Sequence, residues 1–241
     1  YLQAVEKLGY TQPTPIQVET IPLMLGGKDV LAQSQTGTGK TAAFMLPILQ
    51  RLGQGNGTPR ALVLAPTREL AKQVADATEG FARVSGSKVL AVYGGQSYEI
   101  QIRGLKRGVD ILVGTPGRLL DFIKQGRLDL SQVEILVLDE ADEMLEMGFI
   151  DDVEMIFKEL AETRQMALFS ATLPVQIQKL ASKYLNDPVK VSINPKQVTV
   201  AETEQRFYRV REETKLAALS CLLETDEVSS ALIFTRTKAR A

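Results

Sequence analysis

The chain has no histidine among its 241 residues, so imidazole acid–base catalysis and histidine metal sites are excluded from its chemistry. Its single cysteine, Cys221, rules out an internal disulfide and fits a reducing, cytoplasmic compartment. That thiol lies in Leu219-Ser220-Cys221-Leu222-Leu223, an apolar run that predicts a buried helix position rather than a reactive group. No apolar run approaches the roughly 20 residues of a membrane span and no signal peptide is visible, so no membrane partner is expected. Net charge is nearly absent as well: 28 basic residues face 29 acidic ones, leaving −1. That balance excludes dense, histone-like nucleic-acid binding but permits a local basic groove. The signs are in fact separated along the chain. Arg103, Lys106, Arg107, Arg118, Lys124 and Arg127 make its middle basic, whereas Asp139 to Glu162 is heavily acidic.

What is present is an ordinary globular composition, 44% apolar and 24% charged, in a chain long enough to bury a substantial core. Strand-like segments at 29–33, 60–65, 88–92, 110–114, 134–138, 165–169 and 189–193 alternate with helix-like ones at 40–52, 67–83, 96–107, 116–125, 149–160 and 174–185. Ala61-Leu62-Val63-Leu64 and Ile135-Leu136-Val137-Leu138 are continuously apolar, as strands covered on both faces must be. The expected fold is therefore α/β, a doubly wound, mostly parallel sheet with helices on both faces. Leu2, Val5 and Leu8 predict a further short helix stopped by Gly9.

Within that pattern, Ser34-Gln35-Thr36-Gly37-Thr38-Gly39-Lys40-Thr41 joins an apolar strand to the helix opening Ala42-Ala43-Phe44. A strand, a glycine-bearing turn and a helix form the setting of a phosphate-binding loop. Unpaired backbone N–H groups at the helix start favour an anion. Lys40 adds a point charge for the β- and γ-phosphates, and the Thr41 hydroxyl is placed to ligate Mg²⁺. One position departs from the usual pattern, since Ser34 stands where the first glycine is normal; an ordinary βα turn is the competing explanation. The strand Ile135–Leu138 runs into Asp139-Glu140-Ala141-Asp142. Asp139 is suited to hold Mg²⁺, directly or through water, and Glu140 to orient and deprotonate an attacking water. An acidic loop capping the next helix is the simpler alternative. Upstream, Pro13-Thr14-Pro15-Ile16-Gln17 predicts an extended turn opening a helix at Pro15. The Gln17 amide could pair with adenine N6 and N7, or merely bond its own turn.

Taken together, these segments resemble the DEAD-box RNA helicases of helicase superfamily 2, similar in style to bacterial members. Asp139-Glu140-Ala141-Asp142 is the family's name-giving motif, and Gly9-Tyr10 with Pro13–Gln17 looks like its Q motif. Ala32 to Thr41 matches the family's phosphate loop, which tolerates a residue other than glycine at the Ser34 place. Pro66-Thr67-Arg68-Glu69-Leu70, Gly94-Gly95 and Thr115-Pro116-Gly117-Arg118 resemble its RNA-contact motifs, and Ser170-Ala171-Thr172 its coupling motif. The match covers residues 9–172. The resemblance implies a RecA-like P-loop NTPase domain that uses ATP and Mg²⁺, with ATP-dependent RNA unwinding or ribonucleoprotein remodelling as the activity. It implies adenine reading by Gln17, with Tyr10 and Gln12 nearby. Ser34, Gln35, Thr36, Gly37, Thr38, Gly39, Lys40 and Thr41 would hold the triphosphate, and Thr41 and Asp139 the metal. Lys40, Asp139 and Glu140 would serve catalysis. Thr67, Arg68, Gly94, Gly95, Thr115, Gly117 and Arg118 would grip the RNA backbone, and Asp142, Ser170 and Thr172 would link nucleotide state to domain closure. Contacts to phosphates carry no sequence information, so RNA binding should be sequence-tolerant.

The same resemblance divides the chain into three parts. Residues 1–193 match the first RecA-like domain, 194–203 read as a polar linker, and 204–241 match only the start of a second such domain. In that last piece Glu204–Arg211 resembles the second domain's first strand, Thr214–Glu224 reads as a helix, and Ala231–Thr237 looks like the family's motif IV. Beginning at Tyr1 and ending at Ala241 in what reads as a new helix, the chain is expected to be a fragment. It lacks the family's upstream aromatic and the second domain's arginine fingers, so slow turnover and no duplex unwinding are expected from it alone. An ATP-gated RNA clamp with little unwinding uses the same residues and stays open as an alternative. A DNA translocase is disfavoured by the Q motif and the intact tetrad.

Overall fold

A computed structural model describes residues 9–193, 206–225 and 229–235. The chain divides into two compact units, residues 1–194 and 195–241.

The first unit begins with α1 (Pro15–Leu25) and β1 (Val30–Gln33), then α2 (Lys40–Leu52), β2 (Ala61–Leu64), α3 (Arg68–Ala82), β3 (Val89–Val92) and α4 (Tyr98–Lys106). It continues through β4 (Ile111–Gly114), α5 (Pro116–Lys124), β5 (Ile135–Leu138), α6 (Ala141–Glu146), α7 (Ile150–Phe157), β6 (Gln165–Ser170), α8 (Val175–Tyr184) and β7 (Val189–Ser192). The seven strands form one sheet in the order β3-β4-β2-β5-β6-β1-β7, with every pairing parallel. This is the doubly wound architecture that the alternating pattern predicts.

Each continuously apolar strand feeds two cores, because successive side chains point to opposite faces. Val30, Ala32, Ala61, Val63, Val137, Ala167 and Phe169 pack on one face, with Phe44, Ile48 and Leu49 of α2 and Val74 and Phe81 of α3. Leu31, Leu62, Leu64, Leu136, Leu138 and Leu168 pack on the other, with Leu119 and Phe122 of α5, Ile156 of α7 and Ile177 of α8. Phe44 and Phe169 meet at 5.2 Å between ring centroids, an aromatic contact worth about 1 kcal/mol beyond its area. It fastens the helix behind the phosphate loop to the strand leading into Ser170.

Two buried carboxylates organise the amino edge of the sheet. Asp110 accepts from the amides of Asn56 and Gly57 through Oδ1, at 2.7 and 2.8 Å, and from the amide of Lys88 through Oδ2 at 2.7 Å. Asp29 accepts from the amides of Met166 and Asn186, at 2.8 and 2.7 Å. Loops that no ladder holds are tied to the strands by these charge-assisted bonds.

The strand register fixes what meets at the opposite, carboxyl edge. Gln33 lies beside Ser170, Leu138 beside Leu168, and Leu64 beside both Leu138 and Gly114. Residues just beyond β1, β5 and β6 therefore converge on one half of that edge, and those beyond β2, β3 and β4 on the other.

In the second unit a 3₁₀ turn (Glu212–Thr214) leads into α9 (Lys215–Thr225). Here the sequence expectations need correcting. Cys221 is exposed, not buried, and α9 buries no residue at all; its Leu216 is 77% exposed. Residues 206–211 adopt no regular structure where a strand is predicted, and none forms at 231–235. The cause is common to all three: a strand needs a ladder neighbour and an apolar helix stripe needs a core, and the described residues of this unit supply neither. The helix predicted from Leu2, Val5 and Leu8, the 194–203 linker and residues 236–237 lie outside the described residues. Among the described residues no helix is long and apolar enough to cross a membrane.

Candidate functional site

The phosphate loop leaves β1 at Gln33 and turns on Gly37 and Gly39, which hold φ of 80° and 91°. Only glycine occupies that region without strain. Gly39 is also sterically confined, since a Cβ there would stand 2.6 Å from Gln17 Nε2. Internal bonds shape the turn: Ser34 Oγ and Thr38 Oγ1 lie 2.5 Å apart, and Thr38 Oγ1 donates to Gln35 O at 2.8 Å. Ser34 thus supplies a side-chain bond where a glycine would supply none, a physical reason for that departure.

Lys40 opens α2 and is only 5% exposed. Its Nζ lies 3.7 Å from both Asp139 Oδ1 and Glu140 Oε1. These gaps exceed hydrogen-bond length, and neither Lys40 Nζ nor Asp139 Oδ1 has a hydrogen-bond partner although both are buried. Burial pushes the Asp139 carboxyl up to about 6, against the pull of the Lys40 ammonium and with a smaller upward push from Glu140. Orphaned groups of opposite sign beneath a glycine turn are unusual in a folded interior. They fit a ligand that brings negative phosphate oxygens to the lysine and a hard cation to the carboxylate.

Glu140 adopts a left-handed backbone, φ 56° and ψ 55°, as the N-cap of α6. This conformation costs a non-glycine residue about 1 kcal/mol, and it turns the carboxylate back toward the loop, where Oε1 accepts from Thr36 Oγ1 at 2.9 Å. One turn further on, a hydrogen bond shared with Glu140, burial, and the charges of Glu140, Asp142 and Glu146 push the Glu143 carboxyl up to about 7. Sequence reasoning points to neither α6 nor Glu143. The available signal is the three-residue offset from Glu140, the N-cap to N3 spacing at which two side chains can meet.

Asp142 closes a third connection. Its Oδ2 accepts from Thr172 N and Thr172 Oγ1, each at 2.8 Å, while its amide donates to Ser170 Oγ at 3.2 Å. Ser170 Oγ donates in turn to Thr172 O at 2.6 Å. Burial works against the charged Asp142, but the Thr172 and Ser170 hydroxyls and the Thr172 and Ala171 amides outweigh it and hold the carboxyl below its ordinary range. The phosphate loop joins this network directly, because Ser34 N donates to Ser170 O at 2.9 Å and Gln33 Nε2 to Ala171 O at 3.3 Å.

Gln17 is 4% exposed. Its Oε1 accepts from Thr14 N at 3.0 Å and its Nε2 donates to Gly39 O at 3.1 Å. It therefore bonds its own turn and also braces the phosphate loop, with one N–H and one lone pair to spare. Tyr10 and Gln12 are exposed, with the Tyr10 ring 5.9 Å from that of Phe81.

The other half of the edge carries Thr67, Arg68, Gly94, Gly95, Thr115, Gly117 and Arg118. Thr67 caps α3, accepting from Leu70 N at 3.2 Å. Arg68 is exposed and lies over the Tyr93 ring at 5.5 Å; a Cβ at Gly95 would sit 3.4 Å from its Nη1. Gly94 and Gly117 have open space around them. Thr115 is the N-cap of α5. Arg118 is buried, its guanidinium 3.9 Å from the Tyr98 ring centroid and its Nη1 donating to Gln96 O at 3.0 Å. Neither Tyr98 nor Gln96 stands out in the sequence.

A seven-stranded parallel sheet with a glycine turn between β1 and α2, and carboxylates following β5, defines a RecA-like α/β domain of the phosphate-loop class. The family description DEAD/DEAH box helicase matches residues 14–180, and the chain belongs to that family. It is 52% identical over 240 residues to the RNA helicase CrhR of Synechocystis sp., covering 99% of this chain and 49% of that protein. It is 50% identical over 238 residues to the ATP-dependent RNA helicase DeaD of Escherichia coli K12, covering 98% of this chain and 38% of that protein. The chain thus spans half or less of the length of these relatives. Among solved structures it resembles a DEAD box protein from Methanococcus jannaschii, with TM-score 0.77 and 42% identity over 94% of this chain and 61% of that one. A hypothetical ATP-dependent RNA helicase from Sulfolobus tokodaii gives TM-score 0.74 and 43% identity over 80% and 56%.

Proposed function

We propose that this chain is the nucleotide-binding part of an ATP-dependent RNA helicase, coupling ATP hydrolysis to local separation of RNA duplexes. The observation that carries the reading is the buried ion pair Lys40 Nζ and Asp139 Oδ1, 3.7 Å apart and neither with a hydrogen-bond partner, beneath the Gly37–Gly39 turn. The matched family and the relatives named as RNA helicases support it.

In this mechanism the loop amides and Lys40 hold the triphosphate, and Gln17 uses its free valences on adenine, with Tyr10 and Gln12 beside it. Thr41 and Asp139 would hold Mg²⁺, which supplies neutralisation of phosphate charge as the bond breaks. Glu140, held by Thr36, takes the proton of the attacking water. Asp142, Ser170 and Thr172 carry the change in loop position onward. Thr67, Arg68, Gly94, Gly95, Thr115, Gly117 and Arg118 hold the sugar-phosphate backbone of one RNA strand, which makes recognition sequence-tolerant. Residues 1–193 act as the first RecA-like domain, 194–203 as linker and 204–241 as the start of the second.

The test pairs two substitutions. Lys40→Ala should weaken binding of a fluorescent ATP with Mg²⁺ by about ten- to a hundredfold, the range for losing charged hydrogen bonds. Glu140→Gln should bind as wild type and lose phosphate release. Wild-type turnover by Glu140→Gln would show that this carboxylate is not the base.

A further inference from the structure

Arg118 has an arrangement that backbone gripping alone does not require. Arg118 as a whole residue is buried yet, among the described residues, no carboxylate forms an ion pair with it. The nearby acid, Asp121, is occupied elsewhere: its Oδ2 accepts from Tyr98 Oη at 2.8 Å. Tyr98 is thereby fixed at two points. Its hydroxyl is held by Asp121, and its ring meets fully buried Phe122 edge-on, with centroids 5.5 Å apart and an interplanar angle of 82°. Arg118 in turn lies on that fixed ring at 3.9 Å, with Phe122 at 5.9 Å and Gln96 O on Nη1.

Resting on the RNA-backbone reading of Arg118, we infer that Tyr98 is the positioning residue that sets this guanidinium for a nucleic-acid phosphate. A free arginine side chain spends much of its binding energy on lost rotamer freedom. A ring already clamped by Asp121 and Phe122 removes that loss, because cation–π attraction holds the guanidinium before the strand arrives. Diverting Asp121 to the tyrosine hydroxyl also leaves the arginine charge unneutralised, so an incoming phosphate meets a full positive charge instead of displacing a carboxylate. The Tyr98 hydroxyl is an anchor and the ring is the working surface.

The salt dependence of RNA binding separates this role from others. Binding of a labelled oligouridine to this chain is followed by anisotropy across a series of salt concentrations. Arg118→Ala should weaken binding and flatten the slope of log affinity against log salt by about 0.7, one single-strand phosphate contact. Tyr98→Leu, which keeps apolar bulk against Phe122 without a π face, should lose about five- to thirtyfold in affinity, the range of a cation–π contact, and flatten the slope equally. The double variant should bind no worse than Arg118→Ala. Tyr98→Phe keeps the π face but releases Asp121, so it should bind more weakly than wild type and more tightly than Tyr98→Leu. A Tyr98→Leu protein that binds weakly but keeps the full salt slope would mean Tyr98 touches bases or only supports the fold, and would overturn the inference. An Arg118→Ala protein unchanged in affinity and slope would instead overturn the RNA reading on which it rests.

Discussion

Asp139→Asn offers a quantitative test of the site that needs no ligand. The Asp139 carboxyl is 2% exposed and is raised from the ordinary 3.8 to about 6, chiefly by burial. The folded state therefore binds this proton more tightly than the unfolded chain does. Stability from this group is fully present below about pH 4 and is lost as pH rises through about 6. A proton held about a hundredfold more tightly corresponds to roughly 3 kcal/mol, at about 1.4 kcal/mol for each tenfold change, and complete burial removes any discount for solvent screening. Asparagine imitates the protonated acid, leaving Lys40 in the same surroundings in both cases. Urea unfolding in the presence of a chelator should then find Asp139→Asn equal to wild type near pH 4 and about 3 kcal/mol more stable at pH 8. Equal stabilities at pH 8, or a gap that does not change with pH, would refute this account of the carboxyl. A carboxylate that destabilises its own apo fold is intelligible if a cation compensates it in the working state, and the same substitution should accordingly abolish Mg²⁺-dependent nucleotide binding.

Two further outcomes follow from the hydrogen-bond networks. Asp110→Ala strips the acceptor from three backbone amides at the sheet's amino edge; urea unfolding should register a loss of about 3 kcal/mol or more, and a loss under about 1 kcal/mol would show that water replaces the carboxylate. Asp142→Ala frees the Thr172 amide, whose hydrogen exchange should accelerate about ten- to a hundredfold while the β2 and β5 amides keep their protection.

The parts of the molecule readable from sequence were those whose physics is local or strictly periodic. Ala61–Leu64 and Ile135–Leu138 announce themselves as central strands because burial on both faces leaves no polar position. The phosphate loop is legible because its glycines, lysine and threonine are contiguous. Helix α6 escapes notice because six residues, half of them acidic, carry too little apolar periodicity, and because its start depends on the left-handed Glu140. Stacking of Arg118 on Tyr98 joins two separate helices through the fold, and no pattern in either segment encodes it. Residues 206–211 show the opposite failure. Their alternation suits a strand, but alternation states only a preference, and pairing requires a neighbour that the described residues of that unit do not provide.

Strand order also has a kinetic meaning. Thr36 and Glu140 are 104 residues apart in sequence, and Gln33 and Ala171 are 138 apart, because β1 inserts between β6 and β7 at the end of the strand series. Closing such long loops raises contact order and slows folding. The groups proposed to cradle a nucleotide come together only when the earliest strand has paired with the last ones. A nucleotide is thus a ligand of the finished sheet and of no earlier species, and at about a hundredfold excess over its Kd it adds about 2.7 kcal/mol to the folded state by mass action. Under the proposed function, nucleotide concentration should therefore raise the folded fraction of the chain as well as drive its chemistry.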